Sequence, residues 1–246
     1  MGLIKNKLQQ DYLRKAGKQI AEVHQYISEL DLVGLTEIEV AELIQEKMNQ
    51  LKVQGLAFPI IVGSGERTLD LHAVPSSKVI AESDLVLVDI GVTYEGYCSD
   101  MTRTYSASKK MSKVQKEIFN IVQSVQRKVI EAVTTKTNLF ELHQLAQNEF
   151  CCLLDHTVLK GKYEIQKIYP HKTSHWIGSV VHEQSPYFDE QNNPIALKAG
   201  HTFTVEPGLY IQGTGTKYDG IGVRIEDVVL MTEMGSEVLT TEITRS

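Results

Sequence analysis

Asp89, Asp100, His175, Glu206 and Glu226 are the residues of this chain whose types and surroundings could do chemistry together. Four carboxylates and one imidazole are what a pair of divalent cations needs. Two such ions carry four positive charges, the carboxylates cancel them, and a bridging hydroxide can still be held as nucleophile. Without metal, four acids brought together would repel one another and raise each other's pKa. Any one of them could be an ordinary surface acid. As a set they are not, because their neighbours are apolar: LVLVDIGV around Asp89, TFTVEPGLYI around Glu206 and GVRIEDVVL around Glu226. Nitrogen mixed with oxygen ligands favours two ions of Mn²⁺, Co²⁺, Fe²⁺ or Zn²⁺ over Ca²⁺, with Mn²⁺ the first expectation. The chemistry of such a centre is hydrolysis, in which the metals acidify a bridging water and polarise a scissile carbonyl. Glu206 is the expected proton shuttle among the ligands.

Histidines surround this set. His171 and His175 form HKTSH, a spacing that would put both on one face of a helix. The motif lacks the glutamate of a zincin, and the following WIGSVVHE reads as extended, so His175 alone is expected as ligand. His171, His182 and His72 are then neighbours of the metals, placed to stabilise a tetrahedral oxyanion. His24, His143, His156 and His201 have no such company and read as structural.

The elements that must position these residues follow from periodicity. Leu8, Leu13, Ala16, Ile20, Val23, Ile27 and Leu30 lie on a helical stripe over residues 8–29. Thr36 with Glu39 forms a capping box for a second helix, through Val40, Leu43, Ile44 and Met48 to about Leu51. A strand-rich stretch runs from Ala57 to about Tyr105. Ser112 with Gln115 caps a third helix reaching about Ala132, a fourth spans about Leu139 to Leu154, and strands and turns return after Gly161. This order predicts two similar α+β halves meeting at a sheet, within one compact domain over residues 1–246.

The first pair of acids can be placed geometrically. Residues 85–92 and 97–105 read as a hairpin with Glu95-Gly96 as a two-residue turn. Asp89 then opposes Thr102, and Asp100 is its diagonal neighbour on the same face, about 5–8 Å away. A one-residue slip would move one acid to the opposite face.

Composition excludes some functions. The 246 residues carry a formal net charge of −6, 42% hydrophobic and 23% charged residues. With no basic cluster beyond short runs such as Lys109-Lys110, nucleic acid is not an expected partner. No signal peptide is visible, and no apolar run approaches the ~18 residues of a membrane span. Cys98, Cys151 and Cys152 make no disulfide framework, so a reducing cytoplasm is expected.

At this level of detail the chain resembles a family. VGSGERTLDLHAV (62–74), LVLVDIGVTYEGYCSDMTRTY (85–105), PHKTSHWIGSVVHE (170–183), TVEPGLYI (204–211) and GIGVRIEDVVLMT (220–232) are similar to the pita-bread metallopeptidases, peptidase family M24. That family includes methionine aminopeptidases, prolidases and Xaa-Pro aminopeptidases. The resemblance implies an α+β pita-bread (creatinase/aminopeptidase) fold, two pseudo-symmetric αβ halves around a curved antiparallel sheet. It implies that Asp89, Asp100, His175, Glu206 and Glu226 bind two metals, with Asp100 and Glu226 bridging. His72, His171 and His182 match residues that contact substrate and intermediate. Arg224, two residues before Glu226 and so on the same strand face, is placed to hold a ligand carboxylate. Tyr210 falls where proline-specific members have an active-site tyrosine.

HWIG and EPGLYI resemble the Xaa-Pro aminopeptidase branch, whereas methionine aminopeptidases more usually carry glycine where this chain has Trp176. A Pro in the second position gives a tertiary amide without N–H, which an apolar wall of His and Tyr can select. Proline-specific relatives usually carry a further N-terminal domain, which this sequence is expected to lack. The expected activity is removal of the N-terminal residue from Xaa-Pro peptides by a monomer or homodimer. A methionine aminopeptidase is the alternative enzyme. A metal-free, non-catalytic peptide-binding protein is the alternative of another class.

Overall fold

The computed structural model describes residues 3–241; the polar tail beyond residue 241 and the first two residues lie outside them. Two helices open the chain, α1 (Lys7–Glu29) and α2 (Glu37–Gln50). They are followed by β1 (Gly55–Leu56), β2 (Ile61–Ser64), a 3₁₀ turn (Gly65–Leu69), β3 (Leu85–Ile90), β4 (Val92–Tyr94), β5 (Tyr97–Cys98) and β6 (Met101–Ser106). The second half repeats the order with α3 (Lys113–Glu131), α4 (Leu139–Leu154) and a short α5 (Ile165–Ile168). It closes with β7 (Thr202–Val205), β8 (Gly208–Ile211), β9 (Ile221–Arg224), β10 (Asp227–Thr232) and β11 (Gly235–Val238).

The helix starts are chemically specified. Thr36/Glu39 and Ser112/Gln115 form the two expected capping boxes, and Asn6/Gln9 and Asn138/Glu141 form two more. Along α1 the stripe holds from Leu13 to Ile27, but Leu8 in the first turn is exposed. The 3₁₀ turn and α5 were not legible, being too short to show a period. No helix among the described residues is long and apolar enough to cross a membrane.

Each helix pair covers one half of the strands. Val86, Val88 and Ile90 of β3 pack with Ile20, Val23, Val40 and Ile44 of α1 and α2. Phe203, Val205, Val223, Ile225 and Val229 pack with Ile118, Val122, Val125, Leu142 and Phe150 of α3 and α4. Since strand side chains alternate, the partners in between face the other way. Leu87 and Asp89, Thr204 and Glu206, and Arg224 and Glu226 therefore share the side away from the helices. That period of two aims the acids.

All pairings are antiparallel, and the ladder is divided into four short sheets. The expected hairpin is present in the expected register: Asp89 opposes Thr102, and Tyr94 opposes Tyr97 across Glu95 (φ 48°) and Gly96 (φ 75°). Positive φ at both central residues is the requirement of a type I′ turn, which glycine meets without cost. Thr173–Ile177 runs along β7: the Glu206 amide donates to the Thr173 carbonyl, Thr204 to that of His175, and Ile177 to that of Thr202. Of WIGSVVHE, only this beginning is extended. From Gly178 the chain turns, held by a buried ion pair of 2.5 Å between Lys5 and Glu183.

Candidate metal centre

Only Asp89 of the five expected ligands lies inside a strand. Asp100 sits between β5 and β6, Glu206 between β7 and β8, and Glu226 between β9 and β10. Each therefore occupies a point where a strand leaves one sheet for the next. The register is the same on both sides of these breaks, Val205 opposing Asp227 and Gly208 opposing Arg224, so Glu206 and Glu226 face each other directly.

The structure brings the set together. Ligand atoms of Asp100, His175 and Glu226 all lie within 4.8 Å of one another. His175 Nε2 is 3.5 Å from both Asp100 Oδ2 and Glu206 Oε1, and 4.0 Å from Glu226 Oε1. Its Nδ1 lies 3.2 Å from the Trp176 carbonyl. A carbonyl only accepts, so Nδ1 carries the hydrogen and Nε2 presents a lone pair to the acids. HKTSH is not helical, and His171 and His175 reach the site as separate residues, as expected.

These residues fit a cation. Asp89 Oδ1, Asp100 Oδ1 and Glu226 Oε1 are buried and have no hydrogen-bond partner. Buried carboxylate oxygens are rarely left so. Burial, with the charge of neighbouring acids, pushes the Asp100 and Glu226 carboxyls well above the usual carboxylate range. A donor set of oxygens plus one imidazole nitrogen, each with an unused lone pair, suits borderline divalent ions.

Arg224 holds the frame behind the acids and is itself only 4% exposed. It donates to Asp89 Oδ2 at 2.7 Å, to Tyr210 Oη at 2.8 Å and, through Nε, to Thr102 Oγ1 at 3.1 Å. The Thr102 hydroxyl in turn donates a hydrogen bond to Glu226 Oε2 at 2.7 Å. One guanidinium thus fixes Asp89 directly and Glu226 through a hydroxyl. Tyr210 Oη lies 3.1 Å from His171 Nε2, while His171 Nδ1 lies 2.8 Å from the Lys172 carbonyl and must donate to it. Nε2 therefore accepts from Tyr210, and burial keeps the His171 imidazole below its ordinary pKa despite Glu206 nearby. The His182 ring stands edge-on to His175 with centroids 4.4 Å apart, and partial burial lowers its pKa too.

His72, His171, His182, Tyr187 and Arg224 line a cleft of about 620 Å³ with the acids, walled by Phe58, Ile61 and Leu71. Of the histidines read as structural, His24 is buried against Tyr105 and Met101, His201 packs on Trp176, and His156 is exposed. His143 lies in a second pocket beside the cleft. Sequence reasoning missed Thr102 and Thr204. Thr204 Oγ1 donates to Glu206 Oε1 at 3.2 Å and accepts from the His175 amide at 3.1 Å. Both were in reach, Thr102 by its register opposite Asp89 and Thr204 by its position two residues before Glu206.

The sequence pattern of metallopeptidase family M24 matches residues 11–233. The chain belongs to this family. It is 31% identical over 256 aligned positions to the Xaa-Pro aminopeptidase of Escherichia coli, covering all of this chain and 58% of that protein. It is 35% identical over 235 positions to a protein of Mycobacterium tuberculosis named as a probable dipeptidase, covering 95% of this chain and 57% of the relative. Among solved structures, an E. coli aminopeptidase P variant in complex with substrate superposes with a TM-score of 0.92 at 29% identity, over 99% of this chain and 57% of the other. Proline aminopeptidase P II of Yersinia pestis gives the same TM-score and identity, over 99% and 58%. The fold is thus the pita-bread fold of aminopeptidase P, and the M24 chain described here spans somewhat over half the length of these relatives.

Proposed function

We propose that this M24 metallopeptidase is a dimetal aminopeptidase that releases the N-terminal residue from peptides with proline in second place. The observation that carries the reading is the convergence of His175 Nε2 with carboxylates whose buried oxygens lack any other partner. Asp89, Asp100, His175, Glu206 and Glu226 would hold two divalent ions, Mn²⁺ by preference. When bound, such ions acidify water and polarise a carbonyl.

The chain's own residues do the rest. Glu206, opposed to Glu226 and held by Thr204, carries a proton from the attacking water towards the leaving nitrogen. Neutral His171, its one N–H held by the Lys172 carbonyl and its Nε2 by Tyr210, packs against the substrate, while His182 and His72 in the same cleft donate to the substrate's carbonyls. Phe58, Ile61 and Leu71 form an apolar wall, which suits a prolyl peptide bond that offers no N–H. The similarity to Xaa-Pro aminopeptidase and the Trp176–Tyr210 pattern support the specificity. The resemblance to a named dipeptidase favours a second reading, in which the same centre cuts only dipeptides.

The test is hydrolysis by Mn²⁺-loaded protein, with Co²⁺ in parallel. Substrates are an Xaa-Pro dipeptide, a longer Xaa-Pro peptide, and peptides beginning Met-Ala or Met-Gly. Cleavage of the longer Xaa-Pro peptide is expected. Cleavage of the dipeptide alone would establish the second reading, and cleavage of Met-Ala alone would refute the prolyl specificity.

A further inference from the structure

His72 reaches the metal cleft from a loop, in the segment that links the 3₁₀ turn to β3. It is exposed, and Val74 two residues on is 75% exposed, so side-chain burial gives this loop little to rest on. Bonds to its carbonyls hold it instead. Leu71 accepts from Arg224 Nη2 at 3.4 Å, Ala73 from the Val62 amide at 3.2 Å, and Val74 from Arg67 Nη2 at 2.6 Å. His72 is thus strung between two guanidinium groups.

Each guanidinium is backed by a buried carboxylate. Arg224 has Asp89, and the Arg67 Nε spans both oxygens of Glu37 at 3.1 and 2.9 Å. Glu37 opens α2, and its side chain is fully buried. Its Oε1 also accepts from the amide and hydroxyl of Ser64, at 2.8 and 2.9 Å. Its Oε2 accepts from the amide and hydroxyl of Ser76, at 3.0 and 2.6 Å. Burial alone would raise this carboxyl, but the bonds from Ser76 and Ser64 outweigh it and hold the group below the usual range. Glu37 is therefore ionised at neutral pH, which a buried carboxylate sustains only with partners this complete.

The cluster does more than satisfy a buried charge. Glu37 does not line the cleft, yet both serine and arginine partners tie it to the loop that does. The Ile38 amide donates to the Ser76 carbonyl at 3.1 Å, and the Glu37 amide to that of Lys78 at 3.2 Å. The first turn of α2 is thereby zipped to the loop as it leaves the cleft. Arg67 closes the other side, because its planar fork holds Glu37 with Nε and the Val74 carbonyl with Nη2. A lysine could keep the first contact but not both at once.

We infer that Glu37 and Arg67 are positioning residues that set His72 against the metal centre. The inference rests on the aminopeptidase reading for what His72 does to substrate. One arginine ties Leu71 to the frame of the acids, and the other ties Val74 to the start of α2. A shift of His72 relative to Asp89 must break a bond to one guanidinium or the other.

Glu37→Gln leaves a buried cluster of donors facing an amide and can fail to fold, so the decisive variant is Arg67→Lys at a half-buried side chain. Hydrolysis of Ala-Pro-Ala by the Mn²⁺-loaded protein should lose about 10-fold in kcat with KM within twofold of wild type. In a His72→Ala background the same substitution should cost less than twofold, since the residue it acts through is gone. Thr36→Ala removes the cap of the same helix without touching Arg67, and it should leave kcat unchanged. A second readout needs no turnover: ring resonances of ¹³C-labelled histidine in the diamagnetic Zn²⁺-loaded protein, with His72 assigned by its loss in His72→Ala. Arg67→Lys should move the His72 signal and leave that of His24 in place. An unmoved His72 signal, a 10-fold loss that persists in the His72→Ala background, or the same loss in Thr36→Ala would overturn the positioning role. A moved signal in a protein whose wild type cleaves no peptide would instead overturn the aminopeptidase reading and leave the positioning of His72 standing.

Discussion

Replacing Asp100 by Asn should stabilise the metal-free protein and abolish its stabilisation by metal. Asp100, His175 and Glu226 offer ligand atoms within 4.8 Å of each other, so two ionised carboxylates at that separation repel by about 3.5 kcal/mol at an effective dielectric of roughly 20. The raised carboxyl pKa of Asp100, caused first by burial and then by Asp89 and Glu206, means that part of this repulsion is already relieved by proton uptake. Relief on substitution is therefore smaller than the full figure, about 2 kcal/mol, or roughly 4–8 °C in Tm for a chain of this size. Asn keeps the shape, and its amide can donate to Asp89 as a protonated Asp100 would. In wild type, metal at 100 times its Kd contributes about 2.7 kcal/mol. Thermal melts after exhaustive chelation, repeated with Mn²⁺, should show an inversion. The variant melts higher without metal and lower with it. A metal-free Asp100→Asn protein that melts below wild type, or one that keeps the whole metal-dependent shift, would refute the idea that these acids are an electrostatic liability relieved by a cation.

Thr102→Val removes the hydroxyl that joins Arg224 to Glu226, leaving two buried polar groups short of a partner; stability should fall by about 1–3 kcal/mol. Metal affinity should fall by roughly 10–100-fold, and calorimetric titration that finds wild-type affinity would deny Thr102 its linking role. His24 is buried neutral, with its pKa lowered to about 3 by burial first and Arg103 second. The unfolded chain binds a proton there below about pH 6.5 and the folded one does not, so this contribution is whole above that pH and is lost as pH falls towards 3. At pH 5 the loss is about 2 kcal/mol, and His24→Gln should flatten the Tm–pH curve over that window; an unchanged slope would contradict it. Gly222→Ala should cost more than about 2 kcal/mol in chemical denaturation, because a Cβ there meets the Thr68 backbone carbonyl, which cannot swing away as a side chain could.

Much of this architecture could be read in the sequence where a local rule fixes the outcome. Glu95-Gly96 specifies a two-residue turn, the turn specifies the register, and the register puts Asp89 opposite Thr102. The capping boxes at Thr36 and Ser112 placed two helix starts for the same reason. What stayed hidden depends on partners distant in sequence. The Lys5–Glu183 ion pair joins residues 178 positions apart and bends a segment whose composition reads as extended. The aromatic pocket beside the cleft needs α4 and the segment 187–195 to meet, and neither stretch announces it alone. Thr102 and Thr204 were visible as residues but mute as roles, since a threonine in a strand is common and only its neighbours make it a link.

The placement of the acids carries a lesson that neither pattern nor family resemblance states. In both hairpins the ladder is interrupted where the clustered acids sit, at Asp100 in one and at Glu206 and Glu226 in the other, yet the register is unbroken across the gap. Nothing has been inserted, so these are not bulges; each hairpin bends from one sheet into the next with its pairing intact. The bend frees the local backbone from its neighbour while the alternation of faces is preserved. The Glu226 amide uses that freedom to donate to the Thr102 carbonyl of the other half, at 3.1 Å. Two hairpins, each covered by its own helix pair, are thereby joined edge to edge at the residues that gather the charge. The centre is thus also the seam between the halves, and this is why a single guanidinium, Arg224, can brace an acid from each.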